Sequence, residues 1–120
     1  MARTDRRAAQ QSGQRGERLA AWWLRLKGYR ILERQLRFPV GEIDLVVLRG
    51  ATLAFVEVKH RADLAAAAEA IRPQQRRRIE RAAEHYLALN PSRQTLALRF
   101  DALLLAPWRL PRHIESAWRV

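Results

Sequence analysis

Residues 41–59 have the sequence GEIDLVVLRGATLAFVEVK, and this stretch decides the fold. Its two halves are rich in Val, Ile, Leu and Phe, and a glycine-containing segment separates them, which predicts two strands joined by a tight turn. Gly50 suits the first central position of a type II′ turn, where φ is positive. With Gly50 and Ala51 as the two-residue loop, the hairpin pairs Arg49 with Thr52.

The same register sets two carboxylates against each other. Counting outward from the turn places Asp44 opposite Glu57, and the alternation of side chains puts Lys59 on the same face as Glu57. Directly opposed residues have Cβ atoms about 4.5–5.5 Å apart, so two carboxylates and an ammonium gather at one spot. A slip of one residue would send Asp44 to the other face, so this inference depends on the turn.

Two interpretations of this acidic cluster are open. Like charges facing each other across a ladder destabilise it, and Mg²⁺, which takes one or two carboxylates with water and phosphate, would relieve the repulsion. The alternative is an ion-pair cluster of Lys59 with the acids on a solvated face. Phe55, Val46 and Leu48 share that face in the predicted register, which indicates partial burial and favours a functional cluster.

Length and composition restrict the class of protein. The 120 residues suit one domain with a single modest core. Lys and Arg number 23 against 12 acids, a formal charge of +11, and Arg dominates the excess. This suits a polyanionic partner, most simply nucleic acid, although a basic ribosome- or RNA-associated protein has the same signature. The chain has no cysteine, which excludes disulfides, zinc–thiolate sites and iron–sulfur clusters.

The N-terminus predicts no targeting signal and no membrane anchor. Residues 1–14 are polar, basic and unpatterned, which predicts a disordered arm before a single domain over residues 15–120. No apolar run is long enough to span a membrane, and the N-terminus lacks an apolar signal core. We therefore expect a cytoplasmic protein.

A first helix is predicted from Gly16 to Lys27, ended by Gly28. Its apolar stripe contains four large residues, which we expect to be buried: Leu19, Trp22, Trp23 and Leu26. Glu17 lies in the first turn, where the helix dipole favours an acid. Glu17 is also in line with Ala20, Ala21 and Leu24, so an orientation toward the sheet is the alternative.

A second helix is predicted from Pro73, a favourable first helical residue, to Leu89. Its inner stripe comprises Ile79, Ala82, Ala83, Tyr86 and Leu89. Its first turns carry cations that oppose the helix dipole, which favours a phosphate-facing surface over a role in helix stability. These predicted nucleic-acid contacts are Arg76, Arg77, Arg78 and Arg81, together with Arg61 before the helix. Gln75 lies on the inward side, where its amide would bind a nucleotide backbone or a water.

The remaining segments complete an α/β pattern. Strands are predicted at residues 29–38 and 94–105, a short edge strand within 113–120, and a loop or marginal helix at 61–71. Asp101 is interpreted as a structural acid that pairs with Arg99. The order of elements predicts a mixed β-sheet flanked by helices.

Several of these segments together resemble a known family. The motifs GEIDLV and FVEVK are similar to the core of PD-(D/E)XK nucleases. With GERLA at residues 16–20, KGY at 27–29, RFD at 99–101 and the segment near His113, about nine-tenths of the chain resembles the YraN-like bacterial proteins, relatives of archaeal Holliday-junction resolvases.

The resemblance implies a restriction-endonuclease-like core and a divalent-metal site for Mg²⁺ or Mn²⁺. Asp44, Glu57 and the carbonyl of Val58 would be metal ligands, with Glu17 adding a carboxylate from the first helix. Lys59 would position or activate the attacking water. YraN-like proteins often carry lysine where this chain has Gln75, so a cationic role at that position is not implied.

The sequence supports two functions of different kinds. The first is a metal-dependent endonuclease that acts on DNA, including branched DNA. The second is a non-catalytic protein that keeps the fold and binds nucleic acid or another partner. Cutting both strands of a branched junction would need two active sites and hence a two-fold homodimer, but the sequence shows no decisive interface.

Overall fold

The structure is a computed structural model that describes residues 16–120, so the predicted arm, residues 1–14, lies outside the described residues. Helix α1 covers residues 16–26 of the described chain. The other elements, in chain order, are β1 (Arg30–Phe38), β2 (Gly41–Arg49), β3 (Thr52–His60), α2 (Leu64–Glu69), α3 (Pro73–Leu89), a 3-10 turn (Pro91–Arg93), β4 (Ala97–Leu105) and β5 (Arg112–Ile114).

One five-stranded sheet organises the described chain, with the strands in the order β1-β2-β3-β4-β5. The β1–β2, β2–β3 and β4–β5 pairs are antiparallel, whereas β3 and β4 are parallel and are connected through α2 and α3. The predicted α/β class is therefore confirmed: a mixed sheet flanked by helices, compatible with a restriction-endonuclease-like core.

The central hairpin has the predicted register. Arg49 pairs with Thr52, and Gly50 between them has a φ of 59°, as a type II′ turn requires. The β2–β3 ladder ends at the Leu45–Val56 pair. Asp44 therefore lies one residue beyond the last paired position, where the two strands separate.

Each face of the sheet is covered by a helix. On one face α3 packs over side chains of β2, β3 and β4 that include Val46, Leu53, Phe55, Ala102 and Leu104. On the other face α1 packs over Leu45, Val47, Ala54, Val56, Leu103 and Leu105. Alternation along β3 assigns Glu57 and Lys59 to the α3 face, together with Phe55, as predicted.

The predicted buried face of α1 is wrong. The structure buries Ala20, Ala21 and Leu24, whereas Leu19, Trp22 and Leu26 are 43%, 54% and 63% exposed. Trp23 is half-buried at the edge of the contact. Alanines let the helix axis approach the sheet closely, so the small residues and not the largest ones form the contact.

Helix α3 has its predicted bounds, but one residue of its predicted inner stripe is exposed. Ile79, Ala82, Ala83 and Tyr86 are buried, whereas Leu89 is exposed because it is the last residue of the helix. The predicted loop or marginal helix contains α2, whose first turn is capped by the Asp63 carboxylate accepting from the Ala66 N–H.

Helix α3 and β2 make a close backbone contact. A Cβ atom at Gly41 would lie 2.2 Å from the Arg78 carbonyl oxygen, so only glycine fits there. This contact sets the distance between α3 and the sheet at the acidic cluster. None of the helices within residues 16–120 is long and apolar enough to cross a membrane.

Candidate metal centre

The separation of β2 and β3 makes room for a carboxylate between the strands. The Asp44 Oδ2 atom accepts a hydrogen bond of 2.8 Å from the backbone N–H of Val58. A side chain thus replaces the ladder contact that ends at Leu45. The N–H and C=O of one residue in an extended strand point to the same side, so the Val58 carbonyl also faces this gap.

Glu57 lies directly beside Asp44 and is 5% exposed. Burial, the charge of Asp44 and a hydrogen bond between the two carboxyl groups together raise the pKa of Glu57 to about 9, against the opposing effect of Lys59. A buried carboxyl next to a second carboxylate keeps its proton at neutral pH. We call Asp44 and Glu57 the acidic dyad.

Two further predicted residues contact this dyad. The Lys59 Nζ atom lies 3.4 Å from Glu57 Oε1, and the Gln75 Nε2 donates to the same oxygen across 3.3 Å. Lys59 comes from β3 and Gln75 from the first turn of α3, so the sheet and the helix converge on one carboxyl group. The predicted inward orientation of Gln75 agrees with this contact.

Glu17 of α1 approaches the dyad from the other face of the sheet. Burial raises the pKa of Glu17, a hydrogen bond from the Gln35 side chain lowers it, and the nearby charge of Asp44 raises it again. Of the two orientations open from the sequence, Glu17 therefore takes the one toward the sheet.

The donor set fits a hard divalent cation bound with water and phosphate. Within residues 16–120, no three His, Cys, Asp or Glu side chains come together in the arrangement of a complete metal cage. Two adjacent carboxyl groups, with a backbone carbonyl facing the same gap, match the sparse protein ligation typical of Mg²⁺. A cation of this kind would replace the proton that Glu57 keeps at neutral pH and offset the repulsion between the two carboxylates.

The predicted nucleic-acid contacts fall into two groups. Arg77, Arg78, Arg81 and Arg61 are exposed. Arg76 is half-buried, its guanidinium lies 5.6 Å from the centre of the Trp118 ring, and its buried Nε has no hydrogen-bond partner among the described residues. A cavity of about 370 Å³ is lined by Gln75, whose amide contacts Glu57, and by Gln74, Arg72, Arg78 and Glu42. Of the four exposed cations, Arg78 lines this cavity.

A second charged cluster lies on the α1 face and is centred on Asp101, which is fully buried. Arg99 donates two hydrogen bonds of 2.8 Å to its carboxylate, and the Ser116 N–H donates a third of 3.0 Å. His113 Nε2 lies 2.7 Å from Asp101 Oδ2, and its Nδ1 contacts the Lys27 ammonium. A lysine ammonium only donates, so the chain of hydrogen bonds runs from Lys27 through His113 to Asp101.

This second cluster is structural. Burial opposes the ionisation of Asp101, but hydrogen bonds from His113, Arg99 and Ser116 hold its pKa below the ordinary value. The predicted pairing of Asp101 with Arg99 is present. His113 connects β5 to this buried carboxylate.

Two residues near the dyad escaped the sequence reasoning. Gln35 lies inside β1 and has a φ of 46°. The sequence around it, a strand rich in charged residues, contains no signal for this conformation. Gly41 opens β2 at the contact with α3; a glycine directly before a strand is a signal of close backbone approach, but it does not identify the partner.

Comparisons with known proteins identify the family of this chain. A family model described as uncharacterised protein family UPF0102 matches residues 16–105. A UPF0102 protein of Paramagnetospirillum magneticum is 55% identical, with 94% of this chain and 91% of the relative covered. One of Parvibaculum lavamentivorans is 56% identical, with 93% and 84% covered. The chain therefore belongs to uncharacterised protein family UPF0102, the YraN-like family that its sequence motifs resemble.

Proposed function

We propose that this protein is a divalent-metal-dependent endonuclease that hydrolyses phosphodiester bonds in DNA. The observation that carries the proposal is the acidic dyad, in which Asp44 lies beside the buried Glu57 and the Lys59 Nζ atom lies 3.4 Å from Glu57 Oε1. A buried carboxylate beside a second carboxylate costs stability unless a bound cation compensates it. The proposed activity supplies the reason for such a pair.

Asp44, Glu57 and the Val58 carbonyl would hold Mg²⁺ or Mn²⁺, with Glu17 at the edge of the same centre. A bound divalent cation supplies charge to a phosphate oxygen and makes a water more acidic. The hydrogen bond from the Val58 N–H fixes the Asp44 carboxylate in the gap between the strands. The Gln75 amide fixes the Glu57 carboxyl from the helix side.

Lys59 is the residue proposed to act on the reacting atoms. Its ammonium is largely buried beside Glu57, so it is held within reach of a water or phosphate oxygen at the centre. Donation to the attacking water orients its lone pair toward phosphorus, and donation to a phosphate oxygen stabilises the charge that develops there.

The charge of the chain supports DNA as the substrate class. Its net charge of +11 favours a polyanion. Arg77, Arg78, Arg81 and Arg61 are exposed, and arginine matches phosphate oxygens bidentately. Arg78 also lines the cavity next to Gln75. A DNA strand whose phosphates are bound by these arginines would have one of its phosphates at the dyad.

The test is cleavage of end-labelled single-stranded, duplex and four-way-junction DNA with Mg²⁺, Mn²⁺ or EDTA. Glu57→Gln serves as the matched inactive variant, because it keeps the shape and an oxygen that can accept from Gln75 but cannot ionise to bind a cation. Asp101→Asn serves as the control for a buried aspartate outside the centre. We expect cutting that needs metal and Glu57 and that survives Asp101→Asn.

The same assay separates this proposal from the non-catalytic alternative. Salt-sensitive DNA binding without cutting, equal in the wild type and Glu57→Gln, would show a binding module that retains the nuclease fold. Tighter binding to RNA than to DNA, again without cutting, would show an RNA-associated protein. Preference for the four-way junction would point to the homodimer that two-strand cutting requires.

A further inference from the structure

The loop between β4 and β5 holds a tryptophan in a backbone conformation that suits glycine. The Arg109 N–H donates to the Ala106 carbonyl across 3.3 Å, and Pro107 and Trp108 are the two central residues of this turn. Trp108 has a φ of 62°, as the second central residue of a type II turn requires. Glycine adopts this conformation without strain, whereas a bulky residue with a positive φ is an outlier.

Packing gives no reason for a tryptophan at this turn. The Trp108 side chain is fully exposed, and Leu110 two residues later is exposed as well. Trp118, by contrast, is buried and stacks on Phe100. A large aromatic ring that is strained in its backbone and packs against none of residues 16–120 indicates contact with another molecule.

The turn lies at the same edge of the sheet as the acidic dyad. Strands β3 and β4 are parallel, Lys59 pairs with Leu104, and the ladder ends at the next pair, His60 with Leu105. Trp108 is four residues beyond Leu104, a span of at most about 14 Å, and paired strands lie about 4.8 Å apart. The Cα atoms of Trp108 and Lys59 are therefore within about 15 Å, which corresponds to about four nucleotides of one DNA strand.

The charges around the turn favour a nucleic acid as the other molecule. Arg109 and Arg112 are exposed in the loop and at the start of β5, and His60 and Arg61 are exposed where β3 ends. The carboxylate of Asp63 is engaged as the cap of α2. Aromatic rings within a basic surface are the means by which proteins stack on the bases of single strands.

We propose that Trp108 stacks on an unpaired base of the DNA strand whose phosphate lies at the acidic dyad, so that the substrate carries unpaired nucleotides close to the cleaved bond. This inference rests on the proposed function. A cavity of about 540 Å³ is lined by the turn and by Ala62 and Leu64, where α2 begins, and it leaves room for a base beside Trp108. The faces of bases in an intact duplex are covered by their neighbours, so only an unstacked base can meet an exposed ring.

DNA binding in EDTA tests the stacking without any cutting. The probes are a duplex with one unpaired thymine and the same duplex with an abasic residue in its place, which keeps the backbone and the charge but lacks the base. In fluorescence anisotropy we expect the wild type to prefer the thymine probe by about 10-fold, as for other bases stacked on aromatic rings. Trp108→Ala should bind both probes equally, because the ring is gone.

Two variants serve as controls for this measurement. Trp108→Phe should keep most of the preference for the thymine probe, because phenylalanine still offers a ring. Trp22→Ala removes another exposed tryptophan, on α1, and should keep the preference in full. Equal preference in Trp108→Ala and the wild type would overturn the inference, as would a wild type that binds both probes equally.

A second copy of the chain is the other molecule that an exposed tryptophan could meet. A dimer that is present in the wild type without DNA and lost in Trp108→Ala, measured by analytical ultracentrifugation, with no thymine preference in either protein, would overturn the stacking role. The proposed endonuclease fails in a different way. A thymine preference that depends on Trp108, in a protein that never cuts DNA with Mn²⁺, would retain the stacking role and overturn the catalysis.

Discussion

The Asp44 carboxylate accepts a 2.8 Å hydrogen bond from the Val58 N–H at the point where β2 and β3 stop pairing. A side chain therefore completes the hydrogen bonding of the separating strands, and the same carboxylate lies against the buried Glu57. Asp44 therefore both satisfies a backbone N–H group of β3 and forms half of the acidic dyad. The testable consequences concern this dyad, its contact with α3, the second charged cluster and the exposed arginines.

Replacing Glu57 by glutamine should stabilise the metal-free protein at neutral and alkaline pH. The unfolded carboxyl ionises above its ordinary pKa of 4.5, whereas the native carboxyl keeps its proton up to a pKa of about 9. The stability that Glu57 contributes is therefore full below 4.5 and is lost as pH rises toward 9. At about pH 8 in EDTA, Glu57→Gln should raise the free energy of unfolding by about 1–3 kcal/mol.

Urea unfolding of the two proteins across this pH range measures the difference. The advantage of Glu57→Gln should shrink toward zero below pH 4.5, where the wild-type carboxyl is protonated in both states. A difference that is independent of pH would mean that Glu57 is already ionised in the native protein, which would contradict its raised pKa.

Replacing Asp101 by asparagine should destabilise the protein by about 2–4 kcal/mol, because Arg99 loses its buried charged partner and two strong hydrogen bonds. The loss should diminish as pH falls through the native pKa of Asp101, which lies below its ordinary value of 3.8. Thermal unfolding checks this, with Asp63→Asn as the control. Asp63 is an exposed helix cap, and asparagine caps a helix equally well. Equal melting temperatures for Asp101→Asn and the wild type would refute a structural role for the second cluster.

Replacing Gly41 by alanine should displace α3, because the new methyl group would lie 2.2 Å from the Arg78 carbonyl oxygen. We expect a loss of about 1–3 kcal/mol of stability and weaker Mn²⁺ binding, since Gln75 moves with the helix. Gly50→Ala is the matched control: it strains a positive φ in open space at the other end of the hairpin. It should cost stability, about 1–2 kcal/mol, and leave metal affinity unchanged. If both variants reduced metal affinity equally, the effect would be general and not due to α3.

Replacing Arg77 and Arg81 by glutamine should reduce the salt dependence of duplex DNA binding. Each phosphate contact that is lost lowers the slope of log K against log salt by about 0.9. The control is the pair Arg25→Gln and Arg30→Gln, which removes the same charge; Arg30 pairs with Leu48, at the turn end of the sheet. Fluorescence anisotropy over a range of salt concentrations gives both slopes. Identical slopes in the two double variants would show that these α3 arginines do not contact DNA.

Short-range sequence signals correctly predicted the β2–β3 hairpin and the bounds of α3. The turn at Gly50 sets the register of the hairpin, and this register brings Asp44 next to Glu57. Counting residues outward from the turn is therefore enough to predict that these two side chains meet. Pro73 and Asn90 likewise bound α3, because a proline favours a helix start and Asn90 precedes another proline, Pro91.

Features that depend on packing between distant segments could not be predicted from the sequence. The sequence ranks Trp22 above Ala20 as a core residue by size, but the helix lies so close to the sheet that only the smaller side chain fits. The cluster around Asp101 joins Lys27 to His113, and no spacing within either segment predicts that contact.

The most direct test of the metal centre is calorimetric titration of Mn²⁺ into the metal-free wild type, Glu57→Gln and Asp101→Asn at neutral pH. The account predicts a single site in the wild type and in Asp101→Asn, with about one proton released on binding because Glu57, whose pKa is raised to about 9, must ionise to bind the cation. It predicts no saturable binding in Glu57→Gln. Equal binding by the wild type and Glu57→Gln, or no binding by the wild type, would contradict it.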